Sequence, residues 1–335
     1  MKEIDLHDKL LLDLSLSKYS LAALAVADKI NLFRAILDYD GNISKISTGL
    51  NIRQQGINAL VYFLTAKGFL AINALKVSLT KVSSNYLLPD SDYYWGGAFV
   101  FSKIYDSPEY KQIFDSMHST PARLEIQGNN VSEMWENGNL ETEVAKVFTN
   151  AMQSLNHPAA TLAIKSGVFA GINCLLDIGG GSGCFVKAFI DEYPDKHATI
   201  YELPEVCRLI EKDLSRKNIS LSSGNFFTDD LPRGHDGILF SNILHDWQLD
   251  KVHLLLKKAY DALPIGGKIF IHEVLLDEDK CGPEYATAFN LLMYINHGSQ
   301  QYTQNELFNF LSECGFKNLK ATKTHVYYSV VSGVK

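Results

Sequence analysis

The first hundred residues place apolar side chains at the spacing of helices. Residues 21–37 repeat apolar positions every three or four residues, so we predict a helix there. Residues 42–64 predict two short helices on either side of a break at Gly49. Residues 67–70 and 76–80 predict the two strands of a hairpin. Helices followed by such a hairpin are typical of a winged helix.

The pattern changes near residue 174, where short apolar runs begin to alternate with longer amphipathic segments. The runs lie at 174–178, 198–202, 237–241 and 268–273, and the intervening segments at 184–192, 205–216 and 251–263. This alternation predicts an α/β domain with a doubly wound, parallel sheet, whose ligands bind beyond the carboxyl ends of the strands. We expect a winged-helix domain over 1–105, a helical linker over 106–165 and the α/β domain over 166–335.

Composition narrows the class of protein. The 335 residues carry a net charge of −7 and are 46% hydrophobic, which is typical of a globular protein and unlike most nucleic-acid binders. The helix that would recognise DNA offers only Arg53 as a cation before Lys67, so we expect packing or dimerisation from this domain rather than DNA binding.

Targeting and metal signals are weak in this sequence. No apolar run approaches the ~18 to 20 residues of a membrane span, and the acidic start does not resemble a signal peptide. We therefore expect a cytoplasmic protein without a membrane partner. The five scattered cysteines predict neither a disulfide framework nor a zinc site, and we expect no metal.

The strongest chemical signal is a glycine-rich loop between a predicted strand and a predicted helix. Residues 177–183 read Asp-Ile-Gly-Gly-Gly-Ser-Gly. Backbone N–H groups at the start of a helix bind anionic groups, and glycine lets a ligand approach the backbone. Glu202 ends the next predicted strand, where an acid accepts hydrogen bonds from ribose hydroxyls. Together they predict a site for an adenosine-type cofactor, although a tight turn beside a surface glutamate would show the same residues.

Further motifs carry a resemblance to a known family. They are Leu-Asp-Ile-Gly-Gly-Gly-Ser-Gly at 176–183, Glu-Leu-Pro at 202–204, Gly-Asn-Phe-Phe at 224–227, Ile-Leu-His-Asp-Trp at 243–247, Gly-Gly-Lys at 266–268, and Thr303 with Glu306 and Leu307. The chain resembles the two-domain, S-adenosylmethionine (SAM)-dependent O-methyltransferases, which include caffeate, hydroxyindole and bacterial antibiotic-tailoring enzymes.

The resemblance implies a fold, a cofactor and partners. It implies a Rossmann-like class I methyltransferase domain with a mostly parallel, seven-stranded sheet, preceded by a mainly helical winged-helix domain used for dimerisation. SAM would be the cofactor, a small molecule the methyl acceptor, and a second copy of the chain the partner, with no nucleic acid.

The resemblance also assigns the cofactor-binding residues. Glu202 replaces the commoner aspartate toward the ribose, Asn225 replaces an aspartate that accepts from the adenine amino group, and Phe226 packs on the adenine. Ser241 stands where plant members have a lysine. The implied set is Asp177, Gly179, Gly181, Glu202, Leu203, Asn225, Phe226 and Ser241.

His245 is the predicted general base. A neutral phenol, with a pKa of about 10, is a poor nucleophile, and an imidazole with a pKa near 7 suits the removal of its proton. The resemblance implies that Glu273 orients this imidazole and that Gln301 supports it where the family has an acid. A lone histidine is otherwise more often a structural residue.

The acceptor site follows from the resemblance as well. Phe148, Met152 and Met293 would hold an aromatic ring, with Asn290 and His297 nearby, although core packing is the alternative for such residues. Because Asn290 and Gln301 replace acids, chemistry other than methyl transfer stays open. A winged-helix regulator that senses SAM is the third interpretation.

Overall fold

The computed structural model describes residues 6, 8–118, 125–126, 129–214 and 216–335. The helices are α1 (Lys9–Ser17), α2 (Tyr19–Lys29), α3 (Leu32–Asp38), α4 (Ile43–Leu50), α5 (Gln54–Ala66), α6 (Lys81–Tyr86), α7 (Gly96–Phe101), α8 (Pro108–His118), α9 (Val131–Asn137), α10 (Thr142–Lys165), α11 (Cys184–Glu192), α12 (Pro204–Ile210), α13 (Leu249–Ala262), α14 (Glu284–His297) and α15 (Gln304–Glu313). The strands are β1 (Leu70–Asn73), β2 (Lys76–Leu79), β3 (Glu125–Ile126), β4 (Asn129–Asn130), β5 (Cys174–Ile178), β6 (His197–Glu202), β7 (Ile219–Ser223), β8 (Gly237–Ser241), β9 (Lys268–Val274), β10 (Lys317–Lys323) and β11 (Tyr328–Val334).

The chain divides into two structural units. The helical unit comprises Lys9–Arg123 and Leu276–Gln301, and the sheet unit comprises Leu124–Leu275 and Tyr302–Lys335 together with Asp8. The chain returns to the helical unit because α14 packs against α5. The two units divide the chain at other places than the boundaries at 105 and 165 that we expect for the domains. Those domain boundaries stay a prediction.

In the helical unit, the prediction of one helix over 21–37 is wrong. That stretch forms α2 and α3, because Asn31 adopts a left-handed conformation (φ 57°) between them. Helices α4 and α5 follow, and the hairpin of β1 and β2 pairs Leu70 with Leu79. Its first strand begins at Leu70, three residues after the predicted start at Lys67.

The expectation about membrane-spanning length also needs correction. Lys9–Lys29 is long and apolar enough, by length and composition, to cross a membrane. The core helix of a globular protein passes the same test, and half of this window is buried in the structure. The buried part includes every residue from Ala22 to Ala27 on α2.

The sheet unit contains the predicted seven-stranded, mostly parallel sheet. Its strand order is β10-β11-β9-β8-β5-β6-β7, and the five strands from β9 to β7 are parallel. Strand β11 is antiparallel to both of its neighbours. The predicted apolar runs coincide with β5, β6, β8 and β9, which lie inside the sheet.

Register places three strand ends side by side. Ile178 at the end of β5 lies between Tyr201 of β6 and Phe240 of β8. The residues that follow these strands therefore share one edge of the sheet, where α/β proteins bind ligands. Apolar layers cover both faces: α13 and α15 pack on one side, and α10 and α11 on the other.

The motif at Thr303 has a structural explanation. The Thr303 hydroxyl accepts a hydrogen bond from the Glu306 N–H (3.2 Å), and the Glu306 carboxylate accepts one from the Thr303 N–H (2.9 Å). This capping box satisfies two N–H groups that the first turn of α15 would otherwise leave without partners.

We predict that Thr303→Ala lowers the free energy of unfolding by about 1 kcal/mol, because it removes the acceptor for the Glu306 N–H. Chemical denaturation followed by circular dichroism measures the change. Gln304→Ala, an exposed position in the same turn, is the control and should cost less. Equal losses in both variants would contradict a capping role.

Candidate active site

The glycine-rich loop adopts a conformation that side chains would oppose. Gly179, Gly181 and Gly183 have φ angles of +66°, +51° and +72°. A Cβ on Gly179 would lie 2.5 Å from Cδ1 of Ile243, so a side chain there would both strain the backbone and require Ile243 to move. Gly183 precedes α11, so the loop ends at the N–H groups of a helix start.

Glu202 connects the end of β6 to this loop. Its Oε1 accepts a hydrogen bond from the Leu203 N–H (2.8 Å), and its Oε2 accepts one from the Gly181 N–H (3.3 Å). Burial raises the pKa of Glu202 to about 7, although both backbone hydrogen bonds act in the opposite direction. The carboxylate therefore lies against the loop, with its charge poorly solvated.

Asp177 adds a second buried acid at the end of β5. It is 1% exposed, and its Oδ1 has no hydrogen-bond partner among the residues described. Burial, together with the nearby Glu202 charge, raises the pKa of Asp177 to about 8. Two buried acids side by side, one with an unpaired oxygen, form a site suited to donor groups of a ligand.

Asn225 and Phe226 follow β7 on the same edge. The Asn225 Oδ1 accepts a hydrogen bond from the Phe227 N–H (2.9 Å), and its Nδ2 donates to the Glu136 carbonyl (2.8 Å). The amide oxygen retains a second lone pair for an adenine amino group. The buried Phe226 ring lies 3.7 Å from the position that a Cβ on Gly179 would take.

Ser241 ends β8, and a buried histidine lies behind it. Its hydroxyl lies 3.0 Å from Nδ1 of His272, whose ring stacks on Tyr328 (4.8 Å between centroids). Burial lowers the pKa of His272 to about 3, so this imidazole is neutral at physiological pH. We therefore interpret His272 as a structural residue, which agrees with its position on the face of β9 opposite to Glu273.

His245 and Glu273 form a buried pair. The His245 Nδ1 lies 2.7 Å from Oε2 of Glu273, and both residues are under 4% exposed. The separation lies within hydrogen-bond distance, and the two side chains form an ion pair when the imidazole is protonated. The Nε2 lies 3.5 Å from Oδ1 of Asp246.

The structure divides the remaining predicted residues between the two units. Phe148 and Met152 lie on α10 in the sheet unit, where the Phe148 ring contacts Trp135 (4.7 Å between centroids). The others lie in the helical unit, where the Asn290 Oδ1 accepts a hydrogen bond from the Gln301 N–H (2.9 Å); they are Asn290, Met293, His297 and Gln301. The structure therefore brings together His245 and Glu273, and separately Asn290 and Gln301.

A cleft of about 340 Å³ opens beside the predicted adenine residues. It is bounded by Leu203 and Pro204 after β6, by Asn225 after β7, and by Glu136 and neighbouring residues at the end of α9. Glu136 carries no signal in the sequence, because a charged residue near the end of a helix forms no distinctive pattern.

Comparison with known proteins agrees with this geometry. The sheet order and the loop at its carboxyl edge define a class I methyltransferase fold. The sequence model of the O-methyltransferase domain family matches residues 110–317, more than half of the chain. The chain therefore belongs to the O-methyltransferase family.

Individual relatives span nearly the whole chain. It is 28% identical to 3-hydroxy-5-methyl-1-naphthoate 3-O-methyltransferase of Streptomyces sahachiroi over 333 residues, 97% of this chain and 95% of that enzyme. It resembles an O-methyltransferase family 2 protein of Planctomyces limnophilus, solved with apigenin (TM-score 0.82, 23% identity, 98% and 96% coverage). It also resembles human N-acetylserotonin methyltransferase, solved with SAM (TM-score 0.63, 23% identity, 100% and 99% coverage).

Family membership makes this chain a SAM-dependent O-methyltransferase, and the residues present fit that cofactor. Apart from its chain neighbours, no atom of the described residues lies within 4 Å of the position that a Cβ on Gly181 would take, and the loop supplies backbone N–H groups. Glu202 and the unpaired Asp177 oxygen offer acceptors for hydroxyl or ammonium donors.

We predict that the ligand-free protein loses stability as pH rises from about 4 to 8. Both acids have raised pKa values when folded, so their contribution is complete below the unfolded pKa and disappears as pH passes 7 for Glu202 and 8 for Asp177. Glu202→Gln should flatten this dependence between pH 5 and 7, measured as unfolding free energy at several pH values.

Glu205→Gln is the matched control. Hydrogen bonds from Thr142 and Arg208 lower the pKa of the half-buried Glu205, so its contribution changes at acidic pH instead. An unchanged pH dependence in Glu202→Gln would show that Glu202 does not titrate in this range.

Proposed function

We propose that this enzyme methylates a hydroxyl group of a small aromatic molecule, with His245 as general base. The observation that carries the proposal is the buried His245–Glu273 pair, 2.7 Å apart, at the sheet edge where the glycine-rich loop lies. Ile243 connects this pair to the glycine-rich loop. Its side chain lies beside Gly179, and His245 follows it two residues later in the chain.

The pair suits proton removal from a hydroxyl group. In this mechanism the Glu273 carboxylate, 2.7 Å from Nδ1, favours the tautomer that carries its proton on Nδ1, so that Nε2 accepts the substrate proton. When the imidazole takes the hydroxyl proton, the adjacent carboxylate stabilises the positive charge. The acceptor oxygen becomes nucleophilic, and the proton later passes from Nε2 to solvent. Bound SAM supplies an electrophilic methyl group.

An aromatic acceptor is supported by the relatives. The Streptomyces sahachiroi enzyme is named for a hydroxynaphthoate, and the Planctomyces limnophilus protein was solved with apigenin. We propose that Phe148 and Met152 on α10 contact the acceptor ring. The roles that the family resemblance implies for Asn290, Met293, His297 and Gln301 in the helical unit stay predictions from the sequence.

We assign the cofactor to the carboxyl edge of the sheet. Glu202 would accept from the ribose hydroxyls, Asn225 and Phe226 would contact the adenine, and Gly179, Gly181 and Leu203 would approach through their backbone. Asp177 and Ser241 would bind or support the amino-acid end. The contacts of Glu202 and Phe226 with the glycine-rich loop support this arrangement.

We also propose that the N-terminal, winged-helix domain forms a homodimer. Helix α1 buries Leu12 and Leu16 but leaves Leu10, Leu11 and Leu14 between 69% and 82% exposed. Three neighbouring leucines in solvent are typical of a surface that another chain covers. A second copy of the chain is the occupant that fits the family resemblance.

His245→Ala should lower kcat/KM by about 10² to 10⁴-fold while the affinity for S-adenosylhomocysteine (SAH) stays near wild type, because only the proton acceptor is lost. Product formation from a panel of phenols and hydroxynaphthoates measures the rate. Glu273→Gln keeps the shape but removes the charge, so it should shift the acid limb of the pH–rate profile to lower pH.

His197→Gln is the control, since His197 is exposed at the opposite end of β6. Turnover by His245→Ala within a few-fold of wild type would refute the base assignment. A wild-type enzyme that converts acceptors without forming SAH would instead indicate chemistry other than methyl transfer.

For the dimer, we expect the double variant Leu11→Glu, Leu14→Glu to sediment as a monomer of about half the wild-type mass. Two charges would replace apolar area that the dimer buries. Ile265→Glu, at a position 93% exposed in the sheet unit, is the control and should leave the mass unchanged. A wild-type chain that sediments at 37.4 kDa would exclude the homodimer.

A further inference from the structure

The loop after β7, residues 225–229, folds back on itself. The Asn225 carbonyl accepts hydrogen bonds from the N–H groups of Thr228 (3.2 Å) and Asp229 (2.8 Å). The Asp229 carboxylate in turn accepts one from the Asn225 N–H (2.9 Å). We call this segment the β7 loop. Such a tight turn directs several backbone carbonyl groups away from the sheet.

Lys258 on α13 gathers three of these carbonyl groups. Its ammonium donates to the carbonyl oxygens of Phe226 (2.8 Å), Phe227 (3.1 Å) and Asp229 (2.6 Å). An ammonium has three protons, so these contacts use all of its donors. Three carbonyl dipoles that converge on one point repel each other, and the positive charge between them offsets that repulsion.

The β7 loop also reaches the glycine-rich loop. The Phe226 ring is buried and lies 3.7 Å from where a Cβ on Gly179 would be. The backbone that carries this ring is held by Lys258 through the Phe226 carbonyl. A shift of the β7 loop would therefore move the Phe226 ring relative to the glycine-rich loop.

We propose that Lys258 is a positioning residue for the cofactor: it fixes the β7 loop so that Asn225 and Phe226 present a preformed wall to the adenine base. This inference rests on the proposed function, which places those two residues against the adenine. Lys258 acts through the loop and does not itself contact the reacting atoms. Affinity for the cofactor, rather than the chemical step, should depend on it.

The neighbouring lysine provides a natural contrast. Lys257 is exposed and pairs with Asp261 one turn along α13 (2.6 Å), as surface lysines commonly do. Lys258 is half-buried, and burial lowers the pKa of its ammonium despite the charges of Asp230 and Asp229. A charge held at this cost and bonded to three carbonyl groups of one loop is not part of a solvated helix face.

The experiment compares Lys258→Met with Lys257→Met in the full chain. Calorimetric titration with SAH gives the dissociation constant, and steady-state kinetics separate KM for SAM from kcat. We expect Lys258→Met to weaken SAH binding by about tenfold or more, since charged hydrogen bonds are lost. The KM for SAM should rise in parallel, with kcat at saturating SAM near wild type and Lys257→Met unchanged.

Lys258→Arg tests whether charge at this position is what matters. Arginine keeps the positive charge and several donors, so it should restore most of the SAH affinity, whereas the neutral donor in Lys258→Gln should not. If Lys258→Met does not fold, the comparison of SAH affinity between Lys258→Arg and Lys258→Gln tests the proposal instead. Equal SAH affinity in the arginine and glutamine variants would overturn the proposal.

Hydrogen exchange separates positioning from plain stability. Lys258→Met should speed exchange of the Phe227, Thr228 and Asp229 amides, which the β7 loop protects. Faster exchange of these amides with unchanged SAH affinity would show that the contacts of Lys258 stabilise the β7 loop but do not affect cofactor binding. Failure of the wild-type protein to bind SAH at all would refute the proposed function itself, which is a different result.

Discussion

The active site depends on one buried carboxylate. Glu202 accepts hydrogen bonds from the backbone of both Leu203 and Gly181, so it joins the end of β6 to the glycine-rich loop after β5. Neighbouring parallel strands end side by side, and backbone groups of the loop are also hydrogen-bonded to the end of β6. The carboxylate adds the contact with the Gly181 N–H, at the cost of burying an acid beside Asp177.

The other parts of the site are arranged around this edge. Ile243 and Phe226 pack against Gly179, and His245 follows Ile243 toward Glu273 on β9. The predicted cofactor-binding residues and the predicted base therefore lie at or just beyond one edge of the sheet. Methyl transfer needs a positioned nucleophile more than it needs charge stabilisation, because the sulfonium donor is already reactive.

Sequence patterns located the interior of the sheet and the residues at its ligand-binding edge. The runs in β5, β6, β8 and β9 are continuously apolar because both faces of these strands are covered. The apolar pattern did not predict strands β7 and β10, because they lie at the edges of the sheet and carry many polar residues. The break at Asn31 was missed because apolar spacing continues across it, and a left-handed residue leaves no mark in that pattern.

The amino-acid sequence shows which chemical groups are available, such as the glycine at 179, the acid at Glu202 and the imidazole at His245. Which of these groups meet depends on how the chain folds. His245 and Glu273 come from the ends of different strands. Lys258 connects α13 to the β7 loop, which is distant in the sequence. Such pairings depend on register and packing between elements, which no local pattern of side chains encodes.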